Sequence, residues 1–422
     1  MMVRHLVNAR LLTLAGGEGP RRGEEMQDLG VIENGWLRIE GDRISAVGEG
    51  LPSDPAEGTV LDLGGRVVLP AFVDCHTHAC WTGSRLEEFE AGLSGVPYLE
   101  ILKRGGGIMS TVRAVRSASQ EELVEALHAR LGRMLTFGTT VMEIKSGYGL
   151  STEAELKMLR AIHAVSREQD VTILGTFLGA HAKDPDTPNF VEQTIKETLP
   201  AVAEEFPGIC CDAYCEDGAW SVEETCRLFT AAQDLGCQLR VHTDQFNSLG
   251  MTQAAIEMGA RSVDHLEAIT PEDIGRLGDS STIAVLLPAS GFSLDQRYAP
   301  GRDLVDAGAA VAIATNYNPG SAPSPSMPMT ISLACRQAGL LPSEAITAAT
   351  RNAACVLGVE SSHGRLEAGM RADIQILDAL DERELAWEFG GPPPPLVLCR
   401  GEVVQFLGDA EFEGHEDPEA SP

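Results

Sequence analysis

Positive charge is what this chain has least of. Its 62 acidic residues face 32 basic ones, a formal net charge of −30 over 422 residues, and only five of the basic residues are lysines. Such a field repels phosphate backbones and anionic headgroups, which excludes nucleic acid and charged membrane surfaces as partners. An anionic small molecule would need a local arginine. Long apolar runs are also missing: none approaches the ~20 residues of a membrane span, and the opening MMVRHLVNAR lacks a signal-peptide core, so a cytoplasmic chain is expected. The ten cysteines include no Cys-x-x-Cys pair and form no regular framework, which suggests reduced thiols. Cys210, Cys211 and Cys215 read as strand packing. No Gly-x-Gly-x-x-Gly follows an early strand, which counts against an open doubly wound sheet.

What is present is an ordinary globular composition, 43% hydrophobic and 22% charged. Residues 1–66 hold short alternating runs, such as Trp36 to Glu40 and Arg43 to Gly48, and Ala372 to Leu377 and Pro395 to Val404 repeat that pattern. The two ends are expected to meet in one small β-sandwich, built from 1–66 and 361–406. The acidic tail 407–422 reads as disordered. Between them, residues 67–360 alternate strand, loop and helix. Candidate strands are 67–75, 138–145, 171–178, 209–215, 238–243, 260–265, 282–288 and 309–315, with helices at Thr152 to Arg167, Val222 to Leu235 and Met251 to Met258. Eight such units predict an α/β fold, a (β/α)8 TIM-like barrel.

Barrel enzymes place their chemistry at the C-terminal ends of the strands. Here those ends carry His76 and His78, then Glu143-Ile144-Lys145 and Tyr148, then His181, Glu216, His242 with Asp244 and Gln245, and Asp264-His265. The last strand runs into Thr315-Asn316-Tyr317-Asn318-Pro319-Gly320-Ser321. Two histidines two apart on one strand face make half a metal site, although alone they fit two polar residues leaving a strand equally well. Five of ten histidines in one layer are harder to ascribe to chance. His5, His128, His163, His363 and His415 fall elsewhere and read as structural or solvated.

The stretches HTHACWTGSR, RGGGIMSTVRAVRSAS, EIKSGYGL, TFLGAHA, CDAYCE, HTDQFNSLG, VDHLE and TNYNPGS, between positions 76 and 321, resemble the amidohydrolase superfamily and, within it, the imidazolonepropionase family. The resemblance implies one divalent metal ion, zinc or iron, on His76, His78, His242 and the residue at 316, with His265 beside the attacking water. It implies substrate contacts from Arg85, Tyr98, Tyr148, His181, Gln245, Asn318, Gly320 and Ser321, and a homodimer. The implied substrate is a small anion, 4-imidazolone-5-propanoate, opened to N-formimino-L-glutamate by attack at the ring carbon between the two nitrogens. The residues agree with that assignment. Arg85 suits a propionate carboxylate, and Gln245 and Asn318 offer both donors and acceptors to a ring with mixed edges. Tyr98, Tyr148 and the Arg104 to Gly107 loop fit packing and a turn as well. Asn316 departs from the family, which has Asp there as metal ligand and proton acceptor. Asn keeps the shape and one carbonyl oxygen but loses charge and basicity. Asp244 and Asp264 serve equally well as orienting partners. Rivals are a sister hydrolase of a hydantoin-like ring and a non-catalytic ligand-binding relative.

Overall fold

The computed structural model describes residues 4–52, 59–96, 100, 105–407 and 413–415. Eight parallel strands form the barrel sheet: β1 Phe72–Asp74, β2 Thr139–Lys145, β3 Thr172–Ala180, β4 Cys210–Cys215, β5 Gln238–Thr243, β6 Ser262–His265, β7 Ile283–Leu286 and β8 Val311–Ile313. They neighbour one another in chain order. The ring closes just beyond β8 and β1, where the Asn316 N–H donates to the His76 carbonyl at 3.0 Å and the His78 N–H to that of Tyr317 at 3.0 Å. Buried Asp74 ties the same seam, accepting from the Thr315 hydroxyl at 2.5 Å and its N–H at 3.1 Å. The closure therefore runs through candidate site residues.

The helices pack because their apolar positions recur at the helical period. Gln120–Thr136 buries Leu123, Leu127, Leu131 and Met134, and opens on a capping box between Ser119 and Glu122. Ser221 and Glu224 repeat that box before Val222–Asp234. Thr152–Glu168 and Met251–Glu257 fall on the expected helices.

The termini form a separate sheet, as expected, but its strands join one hydrogen-bonded network of nine among the described residues. Arg4–Leu12 is its hub. It pairs antiparallel with Val31–Glu40 and parallel with Thr59–Asp62 through one half and Val67–Pro70 through the other. Ile374–Ile376 then pairs antiparallel with Val67–Pro70, and Leu396–Cys399 with Ile374–Ile376. Leu6, Leu11, Leu37, Ile39, Ile374, Ile376, Leu396 and Leu398 pack in a core of their own.

The run 67–75 is not a single barrel strand. Val67–Pro70 belongs to the terminal sheet and only Phe72–Asp74 enters the barrel, so the boundary expected at 67 falls inside the run. Both halves are buried on all sides, so their apolarity carries no mark of the switch. Of the tail, Glu413–His415 pairs antiparallel with Thr59–Asp62; residues 408–412 and 416–422 lie outside the described residues. No helix among the described residues is long and apolar enough to cross a membrane.

Candidate active site

The C-terminal rim of the barrel gathers the five singled-out histidines. His76 and His78 leave β1, His181 follows β3, His242 lies in β5 and His265 ends β6. Ring centroids are 4.4 Å apart for His76 and His242 and 5.3 Å for His78 and His242, while His181 stacks on His78 at 4.9 Å. His265 stands at the rim of this cluster, 6.1 Å from His76 and 5.6 Å from His242.

His76, His78 and His242 each offer one nitrogen within 4.8 Å of the others. Nε2 of His78 and of His242 lie 3.3 Å apart. Two nitrogens bound at ~2.1 Å to one tetrahedral ion would stand about 3.4 Å apart. Nε2 of His76 is buried with no hydrogen-bond partner, as is Oδ1 of Asn316. Carboxylates secure the outer nitrogens: His76 Nδ1 donates to Asp264 at 2.6 Å and His242 Nδ1 to Asp212 at 3.0 Å. Both imidazoles therefore turn their lone pairs inward. Burial, reinforced by neighbouring positive groups, holds His76 and His78 well below the ordinary histidine pKa, and burial lowers His242 also. Neutral imidazole is the form that binds a metal. The residues present fit a divalent ion.

Behind the histidines lies a charge network that sequence reasoning did not assemble. Lys145 donates to Glu143 at 2.6 Å and to Asp212 at 2.7 Å. Arg240 donates to Asp264 at 2.6 Å and to Ser262 at 2.9 Å, and its Nη1 lies 3.3 Å from Glu143. All these groups are buried, so pairing them is what makes them tolerable. Burial alone would lower Lys145; Asp212 and Glu143 more than offset it and leave its pKa raised.

The other singled-out residues surround this centre. Tyr148, between glycines after β2, lies with its ring 6.0 Å from His78 and 5.2 Å from His181; burial pushes its hydroxyl pKa up, which keeps it protonated. The His181 Nδ1–H donates to the Gly147 carbonyl at 3.1 Å, and because a carbonyl only accepts, Nε2 is left with a lone pair. Burial lowers the His181 pKa to about 3, so this ring is neutral. Gln245 Oε1 accepts from the Tyr214 hydroxyl at 2.9 Å. His265 Nδ1 pairs with Glu267 at 3.2 Å. Asp244 accepts from Thr252 at 2.7 Å instead of reaching the histidines.

Arg85 caps the loop leaving β1. Its Nε and Nη2 donate to Glu88 Oε2 at 3.0 and 2.6 Å, and the Gly107 N–H shares that oxygen at 2.9 Å. A Cβ added at Gly320 would come within 2.6 Å of Arg85 Nη1, so the guanidinium lies against the loop after β8. In that loop the Asn318 amide is used internally: Oδ1 accepts from the Gly320 and Ser321 N–H groups and Nδ2 donates to the Asn316 carbonyl. Asn318 thus shapes the loop. Asn316 itself has a left-handed backbone with φ 52°, and its Nδ2 donates to Ser290 at 2.7 Å. Ser290, on Pro288–Ser293 after β7, was invisible to strand-end reading because β7 ends at Leu286 and runs on through Leu287, with no polar side chain at either. Tyr98 and Arg104 lie outside the described residues.

Residues 67–404 match the Amidohydrolase family. Imidazolonepropionase from Rubrobacter xylanophilus is 46% identical over 397 residues, covering 92% of this chain and 95% of that protein. Imidazolonepropionase from Symbiobacterium thermophilum is 44% identical over 409 residues, covering 93% and 95%. Among solved structures, 5-methylcytosine deaminase from Klebsiella pneumoniae liganded with phosphonocytosine superposes with a TM-score of 0.73 at 19% identity, over 96% of this chain and 98% of that one. An adenosine deaminase from Xanthomonas campestris with bound zinc gives a TM-score of 0.68 at 14% identity, over 96% and 93%. At those identities the likeness is one of fold. The amidohydrolase family is metal-dependent, and His76, His78 and His242 are where this chain could hold the ion. With relatives this similar over nearly its whole length, the chain belongs to the amidohydrolase family, among the imidazolonepropionases.

Proposed function

We propose that this chain is a metal-dependent hydrolase that opens 4-imidazolone-5-propanoate to N-formimino-L-glutamate, a step of histidine degradation. The observation that carries the reading is the convergence of three neutral imidazoles, with His76 Nε2 and Asn316 Oδ1 both buried and without a hydrogen-bond partner. The names of relatives 40–46% identical support the ring substrate over a hydantoin-like one. The buried site, complete around Asn316, speaks against a non-catalytic binder. The ion, zinc or iron, would sit on His76, His78 and His242 with Asn316 as a neutral fourth partner. When bound it supplies a Lewis acid and lowers the pKa of water.

The product requires one change to the expected chemistry. A formimino group keeps the carbon between its two nitrogens, so attack there would yield the wrong product. Water oxygen adds instead to the ring carbonyl carbon, the bond from that carbon to the ring nitrogen breaks, and the carbonyl becomes the new carboxylate. His265 takes the proton from the water and returns it to the departing nitrogen. Its Nδ1 is committed to Glu267, which leaves Nε2 for this transfer. His181 Nε2 accepts from a ring N–H, and the protonated Tyr148 hydroxyl donates to the ring. Arg85 meets the propionate carboxylate, with Gly320 and Ser321 forming the wall beside it; Gln245, steadied by Tyr214, borders the ring. Tyr98 is proposed alongside them on the family resemblance alone. That resemblance also carries a homodimer, and the ten free cysteines accord with a cytoplasmic setting.

The test combines metal analysis with product identification. Purified protein should carry one zinc or iron per chain. Chelation should abolish turnover, readdition should restore it, and mass spectrometry should find formiminoglutamate. Full activity of a metal-free protein, or a formylated amide product, would overturn the reading.

A further inference from the structure

We infer that Glu143 is a positioning residue that holds the three histidines in register from behind and sets the charge of their surroundings. The inference rests on His76, His78 and His242 being the metal ligands, and goes beyond it by naming what organises them. Glu143 lies on β2, fully enclosed, and is linked to every ligand arm, directly at Thr77 and through Lys145 and Arg240 elsewhere. Its Oε2 accepts from the Thr77 N–H at 3.1 Å, the one residue between His76 and His78. The Thr77 hydroxyl returns the contact to the Glu143 carbonyl at 2.6 Å, so this segment is clamped at two points. Its Oε1 takes Lys145 at 2.6 Å, and Lys145 takes Asp212, which orients His242. The same oxygen lies 3.3 Å from Arg240 Nη1, and Arg240 takes Asp264, which orients His76.

Charge makes the role testable apart from packing. Glu143, Asp212 and Asp264 contribute three negative charges, and Lys145 and Arg240 two positive ones, so the set carries one net negative charge facing the ion site. Neutralising Glu143 removes that charge and leaves Lys145 with Asp212 alone. Buried charges are screened weakly, and loss of an outer partner commonly costs 10–100-fold in metal affinity. Removing Lys145 as well returns the set to one net negative charge: Asp212 and Asp264 against Arg240.

The experiment is zinc affinity of the full chain, stripped of metal and titrated against a chelating dye. Glu143→Gln should weaken Zn2+ binding about 10–100-fold. Glu143→Gln with Lys145→Met should recover most of that loss, with Asp212 and Asp264 still on their histidines. An unchanged affinity in Glu143→Gln overturns the inference, as does a double variant that binds no better than the single one. If Glu143→Gln fails to fold, recovery of folding and near-native affinity by the double variant supports the charge account, and a misfolded or weak-binding double variant overturns it. Failure of the ligand reading itself shows differently: His242→Ala would then bind zinc as tightly as the parent.

Discussion

Arg85 is an arginine with a carboxylate already in hand. Glu88 takes two of its N–H groups, and both side chains are largely enclosed, at 17% and 16% exposure. If Arg85 receives the propionate, as proposed, that carboxylate meets a guanidinium already held in place, with Nη1 turned toward Gly320. Arg85→Ala should raise KM strongly for the acid and far less for its amide or ester; equal losses would make Arg85 structural. His265 is distinctive in another way. It and Leu266 both have left-handed backbones, φ 90° and 75°, a strained arrangement for two successive non-glycine residues. Its ring lies 6.1 Å from that of His76, while Glu267 secures Nδ1. If His265 carries the proton, His265→Ala should cost about 10²–10⁴-fold in kcat, whereas Asn316→Asp should change the rate modestly. Near-full activity of His265→Ala would sink this assignment, and a large rate gain in Asn316→Asp would mark position 316 as the place for the base.

The turn after β2 shows how an element holds a site residue. Residues 146–150 are gathered by one buried carboxylate, Glu155, which accepts from the Gly147, Gly149 and Leu150 N–H groups at 2.8–2.9 Å. Glu155 lies in the first turn of Thr152–Glu168, so helix and site loop are one unit. Gly147 has φ +101°, and a Cβ there would meet the Leu178 carbonyl at 2.8 Å and His181 at 3.1 Å. Left-handed strain alone is about 1–3 kcal/mol, and the backbone clash adds to it. Gly147→Ala should lower the urea midpoint and also kcat/KM, because Tyr148 and His181 move together. A variant with native stability and activity would show that the turn relaxes freely.

Across the whole molecule, the barrel and the terminal sheet meet around His363. Its Nδ1 bonds Ser362 at 2.8 Å, while Nε2 lies 3.3 Å from Thr172 at the start of β3 and 3.7 Å from Asp373 beside the terminal sheet. Burial lowers its pKa, with Arg371 and Arg400 opposing protonation and Asp373 favouring it. The ring is neutral in the fold and gains a proton on unfolding below about pH 6.5. The unfolded chain then binds more protons, so this contribution to stability declines as pH falls through that value, by at most about 1.4 kcal/mol per pH unit. His363→Gln should reduce the drop in urea midpoint between about pH 7.5 and about pH 5.5. Equal drops in both proteins would show that His363 does not couple to folding.

Position along the chain was enough to put His76, His78, His181, His242 and His265 in one layer. Strand alternation and the habit of parallel barrels of keeping chemistry at strand ends are local regularities, legible in order of sequence. The eight barrel strands were legible for the same reason. Position could not reveal the break at Ala71, because Val67–Pro70 and Phe72–Asp74 are equally apolar and differ only in which sheet they join. Nor could it reveal that Glu88 holds Arg85, that Asn318 spends its amide on its own loop, or that Ser290 meets Asn316. The buried network is the clearest case: Lys145 finds Asp212 across 67 residues, and His76 finds Asp264 across 188. Residue type decides that such groups need partners once water is removed. Only the tertiary structure decides which partners, because a buried charge pairs with whatever the closed barrel brings within reach.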